Sequence, residues 1–192
     1  MQTIFIVISS ALILINPIFY AGAMFKGKAK PHRTTLFVIS LITAMSALAL
    51  FAANDRVALY LASAQAIQSI VLFFLSIKLG MGGWEKTDLI CLAIALVGIV
   101  LWKTTNNPLL GLYFAILADI AGMVPTVIKT IKWPETETLA YFTIDVAAAI
   151  FSILALNSFR IAELSYPLYI LIMNIIMVMI MIYPRKGAIN KS

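Results

Sequence analysis

In 192 residues, 62% are hydrophobic and only 11% are charged, far from the roughly quarter-charged composition of a water-soluble domain. A mean hydropathy of +1.02 and a succession of long apolar runs, each able to cross a ~30 Å hydrocarbon layer, call for lipid as the solvent. The formal charge of +6 needs no nucleic acid to explain it, because its distribution over short loops and contact with anionic lipid account for it.

Hydropathy and helix breakers predict seven spans. The first, 3 to 24, opens with MQTIFIVISS, which lacks a basic n-region, so it reads as a retained span and not a signal peptide. It carries Asn16, Pro17 and Gly22. After the basic loop KGKAKPHR, where the single His32 is expected to be solvated, come a second span at 34 to 53 and a third at 57 to 78, the latter with Gln65 and Gln68. The fourth, 88 to 102, is predicted to be the shortest. It holds the lone Cys91, which leaves no disulfide framework and no metal-ligand spacing. The fifth, 109 to 131, contains Asp119, Gly122 and Pro125, and the sixth, 137 to 156, contains Asp145. The seventh, 165 to 183, places Asn174 in the run IIMNIIMVMIMI, whose methionines suit gap-filling between helices better than metal transport. All connections are too short for a soluble domain, so any activity belongs to the membrane bundle.

With the N-terminus outside and the C-terminus in the cytoplasm, the inner segments hold 11 of the 14 Lys and Arg residues, leaving Arg56, Lys103 and Arg160 outside. That is a strong positive-inside signal. The expected location is the plasma (inner) membrane.

A shift of 103 residues lays the first two spans on the fifth and sixth. Lys26 meets Lys129, Pro31 meets Pro134, Thr35-Leu36 meets Thr138-Leu139, Asn54 meets Asn157, and Asn16 falls opposite Asp119. A shift of 109 lays LYLASAQ on LYILIMN, pairing Tyr60 with Tyr169 and Gln65 with Asn174. The predicted fold is therefore an all-α integral membrane protein, a single membrane domain over 1–192. It has two parallel triple-helix repeats, 1–79 and 105–192, joined by a linker helix region at 80–104. Parallel repeats about an axis along the membrane normal occur in transporters that bind substrate between two rocking halves.

This layout resembles the PQ-loop superfamily, which includes the SWEET sugar transporters. The best local match is DIAGMVPTVIKTIKWPETET, in which Pro125-Thr126 stands for the family's Pro-Gln pair and Lys129 for its following basic residue. The first repeat has Gly22-Ala23 at that place, with Pro17 five residues earlier. The resemblance implies a substrate-facing amide on the third and seventh helices, here Gln65 and Asn174. It also makes proton coupling plausible, since lysosomal amino-acid exporters of the superfamily use it.

Pro125 lacks an N–H and crowds the carbonyl of Ala121, so with Gly122 it is a candidate hinge; Pro17 and Gly22 offer a weaker one. Its alternative is a static kink. Asp119 and Asp145 lie near span centres, where an ionised carboxylate costs about 2.5 to 3.5 kcal/mol. They are candidate proton carriers, or protonated groups bonded to a neighbouring carbonyl. Gln65, Asn174 and Asn16 are the candidate solute ligands, against a purely structural role as interhelical hydrogen bonds. Amides that donate and accept suit a neutral polyhydroxylated or zwitterionic solute. Tyr20, Tyr141 and Trp102 are candidates for shaping a pocket, although Trp84, Trp102 and Trp133 also sit where interfacial anchors belong.

The expected function is transport of a small polar solute (sugar, amino acid or vitamin-like) by alternating access, facilitative or proton-coupled. It involves no catalysis, no cofactor, no metal and no nucleic acid; the partners are the solute, the lipid bilayer and protons, and a homo-oligomer is compatible with it. The alternatives are a seven-span ligand-binding receptor and an intramembrane aspartyl protease. ADIAG and TIDVA lack the signatures of that protease class, and the last span has no lysine for a retinal Schiff base.

Overall fold

The computed structural model describes residues 1–183, apart from the side chain of Pro125, and within them the chain forms seven α-helices and no strand. These are α1 (Gln2–Phe25), α2 (Arg33–Ala52), α3 (Arg56–Leu79), α4 (Lys86–Thr105), α5 (Pro108–Lys132), α6 (Leu139–Leu154) and α7 (Ile161–Ile182), with a 3-10 turn at Pro134–Thr136 before α6. The basic residues Arg185, Lys186 and Lys191, and the C-terminal Ser192, lie outside the described residues. Six of the helices are long and apolar enough to cross a membrane. Large apolar side chains such as Ile18, Phe19, Phe51, Phe74, Leu89 and Leu96 point outward along them, an apolar exterior far beyond the patches a soluble monomer shows. The chain is a multi-pass membrane protein.

The lengths differ from expectation at two places. The shortest helix is α6, with 16 residues, about 24 Å of axis, while α4 has 20. Hydropathy trimmed the polar ends of α4, which are helical for local reasons. Glu85 and Asp88 form a reciprocal capping box at its start, and Asn106 ends it in the left-handed conformation at φ 53°. Asp55 caps α3 by accepting from the Ala58 N–H at 3.0 Å, and Asn107 caps α5 ahead of Pro108.

Helix packing has an internal regularity. Within the first three helices, α3 packs on both α1 and α2, which do not approach each other within 8 Å between Cα atoms. Within the last three, α7 packs on both α5 and α6, which likewise stay apart. Across the molecule α1 packs on α6 and α2 on α5, while α3 meets α7. Exchanging α1 with α5, α2 with α6 and α3 with α7 leaves these packing relations unchanged, and only a small α3–α6 contact has no α7–α2 counterpart. Helix α4 stands outside the scheme and packs on α5 and α2. Its approach is close at Gly98, where a Cβ would sit 2.4 Å from Phe114 Cβ and 2.9 Å from Met45 Cε.

Two ends of the bundle contrast. At the end of the α2–α3 and α6–α7 connections, small residues let helices close on one another. Ala49, Leu50, Ala58, Leu61 and Tyr166 are almost fully buried there in one cluster. The end bearing the α1–α2, α3–α4 and α5–α6 connections is hollow.

Candidate functional site

At that hollow, basic end lies a vestibule of about 360 Å³, with Lys30, His32, Glu85, Lys129 and Glu137 among its lining residues. Leu36, Ile39, Leu72, Met123, Tyr141 and Phe142 line both this vestibule and a deeper chamber of about 100 Å³. Gln65, Asp119, Asp145 and Asn174, with Thr43, Ser69 and Tyr169, complete the polar part of the chamber wall. The chamber therefore draws its wall from α2, α3, α5, α6 and α7, at the seam between the two groups of three helices.

Asp145, 3% exposed, is the hub of its polar side. Asn16 on α1 donates through Nδ2 to Asp145 Oδ1 at 2.6 Å and to the Tyr141 carbonyl at 2.9 Å. Gln65 and Gln68 on α3 donate to Asp145 Oδ2 at 3.3 and 3.4 Å. Gln68 Nε2 also lies 3.0 Å from Gln65 Oε1 and donates to the Tyr141 hydroxyl at 2.9 Å. Three amides from two helices thus converge on one carboxylate of a third. Such a network satisfies Asp145 away from water, which a lone carboxylate in lipid lacks. Two acceptors beside it remain unpartnered and buried, Asn16 Oδ1 and Gln68 Oε1.

Asp119, on α5, sits on the other side of the chamber. Among the described residues its one hydrogen-bond partner is Tyr169 of α7, whose hydroxyl donates to Oδ2 at 2.7 Å. Among the described residues the two aspartates share no hydrogen bond. Asn174 donates to the carbonyl of Ile170, one turn back on its own helix, at 2.8 Å. Gln65 and Asn174 therefore both reach the chamber, with no hydrogen bond between them among the described residues, and Asn16 supports the site from behind its wall.

The vestibule has its own polar clasp. Lys129 and Glu137 form an ion pair with the Glu137 side chain buried, and Tyr20 donates to Glu137 Oε2 at 3.3 Å. This ties α1, α5 and the entry to α6 together at the mouth. Across the mouth, His32 is not the freely solvated side chain expected of it. It lies 3.4 Å from Glu85 Oε1, with hydroxyl oxygens of Thr34 and Thr35 within 3.2 Å of Nδ1. Buried Asp88 accepts from both threonines at 3.1 and 2.9 Å.

Of the candidate hinges, α1 runs helical through buried Pro17 and half-buried Gly22, and a Cβ at Gly22 would meet nothing within 4 Å. Helix α5 is helical through position 125, whose side chain lies outside the described residues. A Cβ at Gly122 would touch Cys91 Sγ at 3.5 Å, an ordinary contact that seats α5 on α4. Pro167, buried inside α7, is a third helical proline that the sequence reading passed over. Tyr20 and Tyr141 line the vestibule, their ring centroids 5.0 Å apart. Trp102 instead packs over Gly111 in the α4–α5 contact. Among the described residues no three His, Cys, Asp or Glu side chains gather to hold a metal ion.

No family model, curated protein or solved structure matches the chain.

Proposed function

We propose that this protein is a transporter of a small polar solute, working by alternating access between two groups of three helices. In this reading α1 to α3 and α5 to α7 are parallel repeats, α4 is the linker, all seven helices span the membrane, and the basic end faces the cytoplasm. The proposed kinship is with the PQ-loop and SWEET-like transporters.

The observation that carries the reading is the position of the chamber. A cavity with two carboxylates and several amides and hydroxyls in a largely apolar wall lies at the seam of two helix groups whose main packing partners interchange, continuous in its walls with a vestibule at one end and backed by a tight apolar cluster at the other. A pseudo-two-fold seam can rock, opening one end as the other closes, whereas a static pocket has no need of exchangeable halves. Buried Asp145 and half-buried Asp119 are carboxylates able to take up a proton during such a cycle, which makes proton-coupled transport an extension of the same proposal.

The test needs no known solute. In a background with Cys91 replaced by Ala, single cysteines are placed at Thr126 in the vestibule wall and at Ala58 in the sealed cluster, where exposure is 0%. Alternating access predicts that a membrane-impermeant maleimide labels position 126 from the basic side. Position 58 becomes labelled from the opposite side, and modifying one position protects the other. If position 58 stays inert under all conditions while 126 reacts, the pocket opens to one side only, and the receptor reading replaces transport.

A further inference from the structure

We infer that the solute carries a positive charge, as a primary ammonium or guanidinium group on a short apolar stem, and that this group docks between Asp119 and Asp145. The inference rests on the chamber being the solute site, as proposed above, and narrows the solute to one chemical class.

Charge comes first. Two aspartates line the chamber, and among the described residues no Lys, Arg or His does. The cationic groups Lys30 and Lys129, and the imidazole of His32, stop at the vestibule, and Lys129 is already engaged by Glu137. An anionic group would enter a low-dielectric space facing two carboxylates, while a cation would find its counter-charges in place.

Hydrogen-bonding valence points the same way. Of the two carboxylates in the chamber wall, Asp119 has one donor among the described residues, Tyr169, for its two oxygens, and the group that completes it is one with several N–H donors and no acceptor. Ammonium offers three donors and guanidinium five. A sugar hydroxyl brings a donor but also lone pairs and no charge.

Size and wall chemistry fix the rest. A chamber of about 100 Å³ is roughly three waters' worth of space, enough for the charged head and little more. Beyond it Leu36, Leu72, Phe142 and Met123 form an apolar collar leading into the vestibule, suited to methylene groups behind the head. Aromatic faces at Tyr141 and Phe142 suit a passing cation.

The experiment measures thermal stabilisation of the purified full-length protein in micelles by agmatine, putrescine and arginine, against glucose, alanine and glutamate. The cationic probes should raise the melting temperature and the others should not. Asp119→Asn should weaken agmatine binding by about ten- to a hundred-fold, the loss of a hydrogen bond to a charged group. Tyr169→Phe keeps both carboxylates and should preserve the preference for cations. Stabilisation by glucose or alanine equal to that by agmatine, or none by any cationic probe in wild-type protein, overturns the inference without recourse to a variant. Counterflow in proteoliposomes separates the two readings. Agmatine that binds but is never exchanged defeats transport and keeps the charge assignment, whereas glucose exchange indifferent to Asp119→Asn keeps transport and defeats the charge assignment.

Discussion

The contact between Asn16 and Asp145 should be the strongest single coupling in the bundle, and a double-mutant cycle can measure it. The donor–acceptor distance is 2.6 Å, at the short extreme for an amide N–H on a carboxyl oxygen. Gln65 and Gln68 reach the same residue at 3.3 and 3.4 Å, beyond the usual range for a good N–H···O bond. Interhelical hydrogen bonds in membrane proteins average only about 0.6 kcal/mol, because the unfolded chain in the membrane finds substitutes. A charge-assisted bond buried in a network lies higher, at about 1.5 to 3 kcal/mol. The cycle of Asn16→Ala with Asp145→Ala should therefore give a coupling of at least about 1.5 kcal/mol. The cycle of Gln65→Ala with Asp145→Ala should give about 0.6 kcal/mol. Unfolding by SDS titration in mixed micelles, followed by circular dichroism, supplies all the required free energies. An Asn16 coupling no larger than that of Gln65 would refute the reasoning that Asn16 anchors Asp145 and that distance ranks the three amides.

Two glycines should respond in opposite directions to the same change. Gly98→Ala gains up to about 1 kcal/mol of helix propensity but forces a Cβ to 2.4 Å from Phe114 Cβ, an overpacking cost of about 1 to 3 kcal/mol, so thermal unfolding should occur earlier. Gly22→Ala meets nothing within 4 Å and should raise the melting temperature; a fall there, or no change at Gly98, would contradict the packing described. Outside the spans, burial and the neighbouring Glu163 hold the Asp55 carboxyl above its ordinary value of 3.8, against a downward pull from the Ala58 N–H. A raised carboxyl destabilises the fold only where it is ionised. Asp55→Asn keeps the helix cap, so it should stabilise the protein at neutral pH and lose that advantage as pH falls below about 4, as unfolding at several pH values would show. Reporter fusions test the proposed orientation: one at Ser192 should be cytoplasmic and one inserted at Asn106 external, and finding both on one side would remove the seven-span layout.

Much of the fold was legible because lipid leaves few choices: every backbone polar group must be satisfied within its own segment, so long apolar runs become helices. What hydropathy misjudged was where polar residues extend or curtail a helix, as Glu85 and Asp88 do for α4. At the site, Asn16, Gln65, Asp119, Asp145 and Asn174 stood out as polar groups inside apolar runs. Their pairings did not, since these depend on which helices face each other across more than a hundred residues. The repeat alignment set Gln65 opposite Asn174, yet each found a nearer partner, Asp145 for the first and the Ile170 carbonyl for the second. Gln68, a span amide, and Tyr141, a candidate for shaping a pocket, can be tied to the site by helical spacing. Gln68 is three residues beyond Gln65 and Tyr141 four before Asp145, so each shares a face with a residue already singled out. Tyr169 gave no such local signal, because its partner Asp119 is on another helix.

The seam joining α1 to α6 also constrains how the molecule is made. Ser9 of α1 donates to the Ala148 carbonyl at 2.8 Å, and Asn16 waits for Asp145, which lies 129 residues downstream. At a synthesis rate of about 5 to 20 residues per second, that partner leaves the ribosome roughly 6 to 26 seconds after Asn16 does. Throughout that interval the first helix holds a polar amide in the bilayer without its final acceptor. Nascent chains arrested before α6 should therefore be the ones that a membrane-embedded chaperone or quality-control protease engages through α1, and release should coincide with insertion of the sixth helix.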